Sequence, residues 1–440
     1  MVEAPPDILG SRKSARAQAL VWGAVIIFII AAIIRQPLLA LLAVAVVLVV
    51  GIVFLWRRYG LRGVSYRRSF SRSRAFPGEE VLLEITVENA KLLPLPWLEV
   101  QDDFPDALEY PDLTLEPSPK PKTHIFKTFF SARPYERVRR RYRVVCTRRG
   151  YHSFGPVYVN TGDMFGFATR NETVEQIDHL IVYPKVVPVT EFGLPAKQPF
   201  GDEKPVRPLL EDPLRFAGVR PYVPGDSPRR VHWRASARTS ELQSKHYERS
   251  ATPTLAIFLD VNTFEHFWQG LDPEALEKAI SAAASLAAYG LEERRQVGLF
   301  ANAPLAAGAR SIRILPSRHP AQLGRILDAL ALLIPYTGNR VENLISSEAR
   351  RLPWGATLVV VTGYVTTALE ETLATLHRNG HAITLLSFGG DVPDMPSRPG
   401  FRIYTPALPG GQPSEADGEA RTGKEATVAG LADLVEVGLA

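Results

Sequence analysis

Residues 222–242 read YVPGDSPRRVHWRASARTSEL, and the pattern of apolar residues differs on the two sides of this stretch. Pro224 and Gly225 suit the central positions of a type II turn, because proline fixes the first φ angle and glycine tolerates a positive second one. Asp226 then stands at the exit of the turn. We therefore take residues 224–250, called the seam below, as the boundary between two differently folded parts of the chain.

The seam is basic and aromatic, and two interpretations of it stay open. In one it is a solvated loop, with Asp226 paired to one of the seam's own arginines and Trp233 buried as a packing anchor. In the other it is a surface for a protein partner, because arginine and aromatic residues are enriched at interface hot spots. The candidate partner-binding residues are Asp226, Arg229, Arg230, His232, Trp233, Arg234 and Arg238.

Length and composition indicate a folded protein of two or three domains. The chain has 440 residues, of which 46% are hydrophobic and 22% charged, with a formal net charge of +5. These values are ordinary for globular protein, and the small net charge does not by itself indicate nucleic acid. The single cysteine, Cys146, excludes an intramolecular disulfide and any CxxC motif, and we expect it to be buried in a strand.

Two uncharged runs near the start predict a transmembrane helical hairpin. Residues 18–34 form the first run, and the second continues to Trp56 after only three intervening residues. Each run approaches or exceeds the length that crosses a hydrocarbon core at 1.5 Å per residue. A second span follows the first directly, which is not the pattern of a cleaved signal peptide. The domains expected here are a terminus at 1–17, two spans within 18–56, and a basic juxtamembrane segment at 57–75.

Positive charge predicts the orientation of this hairpin. Basic residues precede the first run and follow the second, whereas the connecting turn carries one arginine. The positive-inside rule therefore places both termini, and the bulk of the chain, on the cytoplasmic side of the inner membrane. The arginines after Trp56 are expected to face anionic lipid headgroups. These lipid-facing candidates are Arg57, Arg58, Arg62, Arg67 and Arg68.

Residues 76–186 alternate with a period of two and predict a sandwich-like all-β domain. In the strand predicted at 137–145, Arg137, Arg139, Arg141 and Arg143 share one face. Such a row is expected either to pair with acids on a neighbouring strand, for which Glu84 and Glu88 are candidates, or to contact an acidic partner. The proline-rich residues 187–223 read as a surface linker.

The part after the seam predicts a doubly wound α/β domain over residues 251–406. TLAIFLD at 254–260 is an apolar run that ends in an acid, as a central parallel strand does at the carboxyl edge of a sheet. Further strands and helices alternate after it, and residues 407–440 read as a linker and a terminal helix. The predicted fold class is therefore multi-domain, with a transmembrane helical hairpin, an all-β sandwich-like domain and an α/β domain.

The motifs together resemble a known bacterial family. Two apolar runs, RRGYHSFGPVYVNTGDMFGF and VYPKVVP in the β region, PGDxxRxxHWRASAR in the seam, and a strand ending in Asp260 are similar to the domain of unknown function 58 family. The resemblance covers nearly the whole chain. It implies a von Willebrand factor A-like domain after the seam, and an association with MoxR-type AAA+ ATPases and transglutaminase-like membrane proteins.

The same resemblance directs attention to a metal site. Metal-binding A domains hold Mg²⁺ through a DxSxS motif, a threonine and a second aspartate, which supply hard oxygen ligands. Here the motif reads DVNTF from Asp260, so that Asn262 is the only further ligand in phase, and Thr337 is the candidate threonine. Gly363 stands where the second aspartate is expected. No cofactor is therefore expected, and Asp260 is alternatively a cap on a backbone turn.

Three functions follow from these patterns. The first is a membrane-tethered, non-catalytic adaptor or scaffold whose seam and A-like domain bind a protein partner. The second is binding of an anionic lipid or polymer through the arginines, although no nucleic-acid fold signature is present. The third is a hydrolase that uses Asp226, His232 and Asp260, but the sequence has no GxSxG, HExxH or phosphate-loop motif. We therefore expect no enzyme activity.

Overall fold

A computed structural model of the chain describes residues 37–162, 169–195, 199–200, 216–247, 253–265, 269–304, 311–336, 339–353, 355–389 and 401–406, together with Gly23, Ile26 and Ile29. The predicted terminus at 1–17 and the predicted linker and helix at 407–440 lie outside the described residues. Two compact units divide the chain. The β-rich unit comprises residues 1–183, and the mixed unit comprises residues 184–440.

The β-rich unit contains one described helix and eleven described strands. Their bounds are α1 Pro37–Tyr59, β1 Val64–Phe70, β2 Arg74–Ala75, β3 Glu80–Asn89, β4 Leu95–Pro105, β5 Leu115–Pro117, β6 Thr123–Ala132, β7 Arg137–Val145, β8 Gly150–Phe154, β9 Val157–Gly162, β10 Thr169–Val174 and β11 Asp178–Val182. They form three sheets, ordered β1-β3-β7, β10-β9-β4-β6-β5 and β2-β11-β8. All pairings are antiparallel except that of β2 with β11.

Alternating side chains of these strands fill one core. Val81, Leu83, Ile85 and Val87 point inward from β3, as their spacing predicts, and are almost fully buried. Phe104 packs against Phe126 and Phe154 at ring-centroid distances of 5.2 Å. Cys146 is buried directly after β7, and burial raises the pKa of its thiol to about 12. This thiol is therefore protonated and unreactive at neutral pH.

The predicted fold class is wrong in its transmembrane hairpin. The described structure is rich in β-sheet, and within the ranges given above no helix has both the length and the apolar character to cross a membrane. The first predicted run lies almost wholly outside the described residues, and α1 continues past the second run into the charged segment that ends at Tyr59. The prediction used only the apolar composition of the two runs. A transmembrane segment must also form one continuous apolar helix.

Three arginines of the row on β7 are paired with acids, which is one of the two arrangements that the sequence predicts. Arg137 lies 2.9 Å from Glu88, and Arg141 lies 2.8 Å from Glu84, both across the β3–β7 pair. Arg143 forms a third ion pair, with Asp112. All three pairs are solvent-exposed, so each stabilises the fold only weakly.

The mixed unit contains a hairpin and an α/β sheet. The bounds of its elements are β12 Phe216–Pro221, α2 Trp233–Thr239, β13 Gln243–Tyr247, β14 Thr254–Leu259, α3 Pro273–Glu292, β15 Gln296–Ala301, β16 Ile312–Ser317, α4 Gln322–Ala331, α5 Val341–Ala349, β17 Thr357–Thr362, α6 Thr367–Arg378, β18 Ala382–Ser387 and β19 Phe401–Tyr404. Two short 3₁₀ turns lie at Val189–Phe192 and Pro228–Arg230.

Six strands form the sheet, in the order β16-β15-β14-β17-β18-β19. Neighbours pair in parallel except β15 with β16, which forms an antiparallel edge. Ala256 and Phe258 face the helices α5 and α6, whereas Leu255 contacts Gly290 of α3 on the opposite face. The central strands β14 and β17 are fully buried, which explains why their sequences are continuously apolar instead of alternating.

Part of the segment expected to be a surface linker is packed. Val189, Phe192, Leu194 and Phe200 are buried. Phe192 contacts Phe388, and Phe200 contacts Tyr289 of α3, at centroid distances of 6.1 Å in both cases. The described residues 187–195 and 199–200 therefore belong to the mixed unit. Their apolar side chains are spaced irregularly along the sequence and pack against Phe388 and α3.

Candidate functional site

The seam begins with the predicted turn. Gly225 has a φ of 111°, and the backbone N–H of Asp226 donates to the carbonyl of Val223 at 3.0 Å. Residues 223–226 therefore form a turn whose third residue, Gly225, has a positive φ angle that only glycine adopts without strain. The turn is held between β12 and β13, which form an antiparallel hairpin.

Asp226 holds this hairpin together. Its carboxylate accepts a hydrogen bond from Nη2 of Arg220 on β12 at 2.6 Å, and a second from the backbone N–H of Val223 at 3.2 Å. The bond to Arg220 lowers the pKa of Asp226 below its ordinary value. The predicted pairing of Asp226 with an arginine is present, but that arginine precedes the seam.

His232 caps the short helix α2. Its backbone carbonyl accepts the first helical hydrogen bonds, and its ring Nδ1 accepts from the N–H of Ala235 at 3.0 Å. Ser236 then donates its hydroxyl to the carbonyl of His232 at 3.1 Å and accepts from the N–H of Gln243 at 2.8 Å. α2 is thus joined to β13 by the side chain of Ser236 and by the backbone N–H of His232, which donates to the carbonyl of Gln243 at 2.8 Å.

Replacing His232 with alanine is expected to weaken α2 by about 1 kcal/mol, which is typical for the loss of a helix cap. His232→Asn is expected to preserve stability, because its side-chain oxygen can also accept at the start of a helix. Hydrogen exchange of the amides at 234–240 measures both effects. Equal protection in wild type and His232→Ala would contradict the capping role.

The capped helix α2 and the 3₁₀ turn before it present an exposed basic and aromatic surface. Trp233 is 71% exposed, so the interpretation that buries it as a packing anchor is wrong. Arg234 and Arg238 are exposed on the same helix, and Arg229 is exposed in the preceding 3₁₀ turn. We call Arg229, Trp233, Arg234 and Arg238 the seam surface. Arg230 is half-buried and lies outside this surface.

A second candidate site lies at the carboxyl edge of the α/β sheet. Asp260, Asn302 and Thr362 end the parallel strands β14, β15 and β17. The strand order reverses between β14 and β17, and ligands of open α/β sheets bind at such a point. A cleft of about 220 Å³ opens here, lined by Asp260, Asn262, Phe264, Glu265, Arg340, Val341, Glu342, Tyr364, Thr366, Thr367, Ala368 and Leu369.

Asp260 is only 5% exposed and is held by three groups. Its Oδ1 accepts from the N–H of Asn262 at 3.0 Å, which is the predicted cap on a backbone turn, and from Nδ2 of Asn302 at 2.7 Å. Its Oδ2 lies 3.1 Å from Oγ1 of Thr362. Burial raises the pKa of Asp260 to about 6.

The hydroxyl of Thr362, which contacts Asp260, also contacts Tyr364. Oγ1 of Thr362 lies 2.7 Å from the carbonyl of Tyr364 and accepts from the N–H of Tyr364 at 3.2 Å. A hydroxyl has a single proton to donate. That proton is therefore shared between Asp260 and the carbonyl of Tyr364, and the bond to Asp260 partly offsets the rise in pKa that burial causes.

This arrangement does not fit a divalent metal ion. Thr337 lies outside the described residues, and within the described part of the chain no group of three His, Cys, Asp or Glu side chains is placed to hold a metal. A Cβ at Gly363 would lie 2.7 Å from Cα of Thr263, so an aspartate has no room there.

The basic residues at the end of α1 and directly after it occupy different environments. Arg58, Arg62 and Arg67 are exposed, whereas the side chain of Arg57 lies outside the described part of the chain. Arg68 is buried, so its assignment as lipid-facing is wrong. On β1 it shares the inward face with Tyr66, because the two are separated by two positions.

Arg68 is the centre of a buried charge network. Its guanidinium contacts both carboxylate oxygens of Asp102, at 2.5 and 2.6 Å, and lies 2.9 Å from Asp178. It also donates to the carbonyl of Phe154 at 2.8 Å, and Tyr66 donates its hydroxyl to Asp102 at 2.8 Å. The network links β1, β4, β8 and β11. The alternation of β1 is the sequence signal that would have placed Arg68 inside.

The family comparison matches only the second half of the chain. Residues 218–387 match the family described as "Protein of unknown function DUF58". The chain is also similar to the uncharacterized protein YeaD of Bacillus subtilis, with 25% identity over 244 residues. This match covers 55% of the chain and 56% of YeaD, so it spans about half the length of that curated relative. The resemblance to the family is therefore confirmed over residues 218–387.

Similar solved structures provide no functional information. The CARDB domain of the PF1109 protein from Pyrococcus furiosus is 12% identical with a TM-score of 0.19, and covers 27% of this chain and 91% of that one. A β-glucosidase from Listeria innocua is 14% identical with a TM-score of 0.17, and covers 27% of this chain and 16% of that one. Both scores are too low to support an argument.

Proposed function

We propose that the chain is a non-catalytic adaptor whose seam surface binds a protein partner. The observation that carries this proposal is Trp233, which is 71% exposed on a helix whose start is capped. Tryptophan and arginine are the residue types that dominate interface hot spots. The family resemblance indicates a MoxR-type AAA+ ATPase as the class of partner. We also propose that the α/β domain is von Willebrand factor A-like and binds the same partner.

The rigidity of the seam surface supports binding. His232 and Ser236 fix α2 to β13, and Asp226 fixes the turn before it. A partner therefore meets Trp233 on a backbone that is already ordered, which reduces the entropy lost on association. Leu242 and Val223 are also exposed, at 51% and 53%, and add apolar area within the hairpin segment.

The contacts of the candidate catalytic residues support a non-catalytic role. His232 caps a helix through its ring, Asp226 pairs with Arg220, and Asp260 is bonded to neighbouring strand ends. Each of these side chains has a structural partner of its own. The β7 row likewise favours a protein partner over an anionic polymer, because three of its arginines are paired with acids.

Affinity recovery with in-cell crosslinking tests the proposal. Trp233→Ala and Arg234→Ala are each expected to weaken the partner complex by about 2 kcal/mol, or about thirtyfold in Kd, as hot-spot truncations do. The matched controls are Tyr336→Ala, which removes another exposed aromatic ring, and Arg325→Ala, which removes an exposed arginine from α4. Both controls are expected to recover the partner as wild type does.

An unchanged set of partners in folded Trp233→Ala and Arg234→Ala proteins would refute the adaptor role of the seam surface. Loss of the partner in all four variants would also count against it, because the effect would then be nonspecific. A complex with nucleic acid or another polyanion, whose affinity falls steeply with salt, would replace the proposal with the anionic-polymer alternative.

A further inference from the structure

A groove of about 510 Å³ lies at the carboxyl end of α1, within the β-rich unit. Its described lining consists of Leu55, Tyr59, Arg62, Gly63, Lys91, Leu92, Leu93 and Pro94. The volume is in the range of about 300 to 1,000 Å³ that is typical of small-molecule sites. The groove is therefore large enough for one small ligand, and it is separate from both sites described above.

The walls of the groove are apolar and accessible. Leu92 is 74% exposed, and Leu55 is 46% exposed at the end of α1. The apolar surface continues along α1 through Ile52 and Leu48, which are also exposed. Contiguous exposed apolar surface marks an interaction site more reliably than single exposed residues do. A hydrocarbon chain would cover this surface.

Two basic side chains, Arg62 and Lys91, also line the groove. Lys91 donates from its ammonium group to the carbonyl of Gly60 at 2.6 Å, and this bond uses one of its three donors. The guanidinium carbon of Arg62 lies 5.2 Å from the ring centroid of Tyr59, which orients that side chain. The described lining contains no carboxylate to neutralise either charge.

We propose that this groove binds a long-chain carboxylate, with the hydrocarbon chain against Leu55, Leu92 and Leu93 and the carboxylate at Arg62 and Lys91. The apolar walls require a hydrocarbon, and the two cations select an anionic headgroup. A single chain is favoured over a two-chain lipid because the volume suits one small ligand. The proposal is independent of the seam surface, which lies in the mixed unit.

Equilibrium dialysis of radiolabelled laurate against the purified full chain tests the proposal. Laurate is expected to bind saturably, and methyl laurate, which has the same chain without the charge, is expected to bind at least tenfold more weakly. This comparison uses only the wild-type protein, so it does not depend on the folding of any variant. Butyrate is expected not to compete, because it lacks the apolar chain.

Variants then locate the site. Arg62→Gln with Lys91→Gln is expected to reduce laurate affinity at least tenfold, and Leu93→Asp is expected to abolish binding. Arg139→Gln is the matched control, because it removes an exposed arginine from β7 of the same unit and leaves the groove unchanged.

Three results would overturn the proposal. They are no saturable laurate binding, equal binding of laurate and its methyl ester, and unchanged binding in the Arg62→Gln/Lys91→Gln protein. If the protein bound phosphatidylglycerol vesicles but not free laurate, the proposal would also be wrong. The groove would then contact a lipid surface instead of a free fatty acid.

Discussion

Replacing Arg68 with methionine is expected to lower the free energy of unfolding of the β-rich unit by about 3 to 5 kcal/mol, the usual cost of removing one partner from a buried ion pair. Arg68 and Asp102 both have fully buried side chains. Methionine fills similar volume but removes the cation that pairs with Asp102, whose pKa burial already raises to about 6. The carboxyl group must then either stay ionised without a partner cation or take up a proton, with the hydroxyl of Tyr66 as its remaining contact among those described for the network. Hydrogen exchange of the amides of β1, β3 and β4 at rising urea concentration measures the change within this unit.

Two further variants make this test specific. Arg67→Met removes the neighbouring exposed arginine and is expected to change stability by less than about 0.5 kcal/mol. Arg68→Met combined with Asp102→Leu is expected to recover more than half of the loss, because the buried carboxyl group without a partner is gone. If the double variant were as unstable as Arg68→Met alone, the cost would come from packing and not from the unpaired carboxylate.

Replacing Asp260 with asparagine is expected to stabilise the mixed unit at pH 7, by up to about 3 kcal/mol. The folded-state pKa of Asp260 is raised to about 6 by burial, above the value of about 3.9 in an unfolded chain. Protonated Asp260 therefore contributes its full stability below about pH 4, and that contribution is lost as the pH rises through about 6. Two pKa units correspond to about 3 kcal/mol.

Asparagine is a close mimic of the protonated acid at this position. Its carbonyl oxygen can accept from the N–H of Asn262 and from Asn302, and its amide can donate to Oγ1 of Thr362. Urea unfolding, read from hydrogen exchange in β14 and β17, is expected to show the gain at pH 7 and no gain at pH 4. Glu293→Gln, an exposed change beside α3, serves as the control. A variant equally destabilised at both pH values would show that ionised Asp260 is needed by the fold.

Local patterns predicted individual elements well where one physical signal dominated. The apolar run before Asp260 predicts a buried strand, and β14 spans Thr254–Leu259. Alternation predicts the inward face of β3, and charge spacing on β7 predicts the pairs of Glu84 and Glu88 with Arg141 and Arg137. These features depend on neighbours within one strand or on the adjacent strand, which is why periodicity is sufficient to find them.

Predictions failed where a side chain's environment comes from distant parts of the chain. Its place in a cluster of arginines predicts that Arg68 faces lipid. Arg68 instead pairs inside the fold with Asp102 and Asp178, which lie 34 and 110 residues away along the chain. One of the two interpretations of the seam buries Trp233 on the basis of its residue type, yet the side chain is exposed on α2. The transmembrane hairpin was predicted from apolar composition, which does not report where a helix begins and ends.

The sequence by itself determined the turn at Pro224 and Gly225, the buried central strand, the arginine row with its candidate acids, and the resemblance over residues 218–387, because each follows from residues near one another or from a motif. The tertiary structure alone decided the exposure of Trp233, the buried network around Arg68, the raised pKa of Asp260 and the groove beside Lys91. Burial and hydrogen-bond partners set these properties, and both are supplied by segments that only folding brings together.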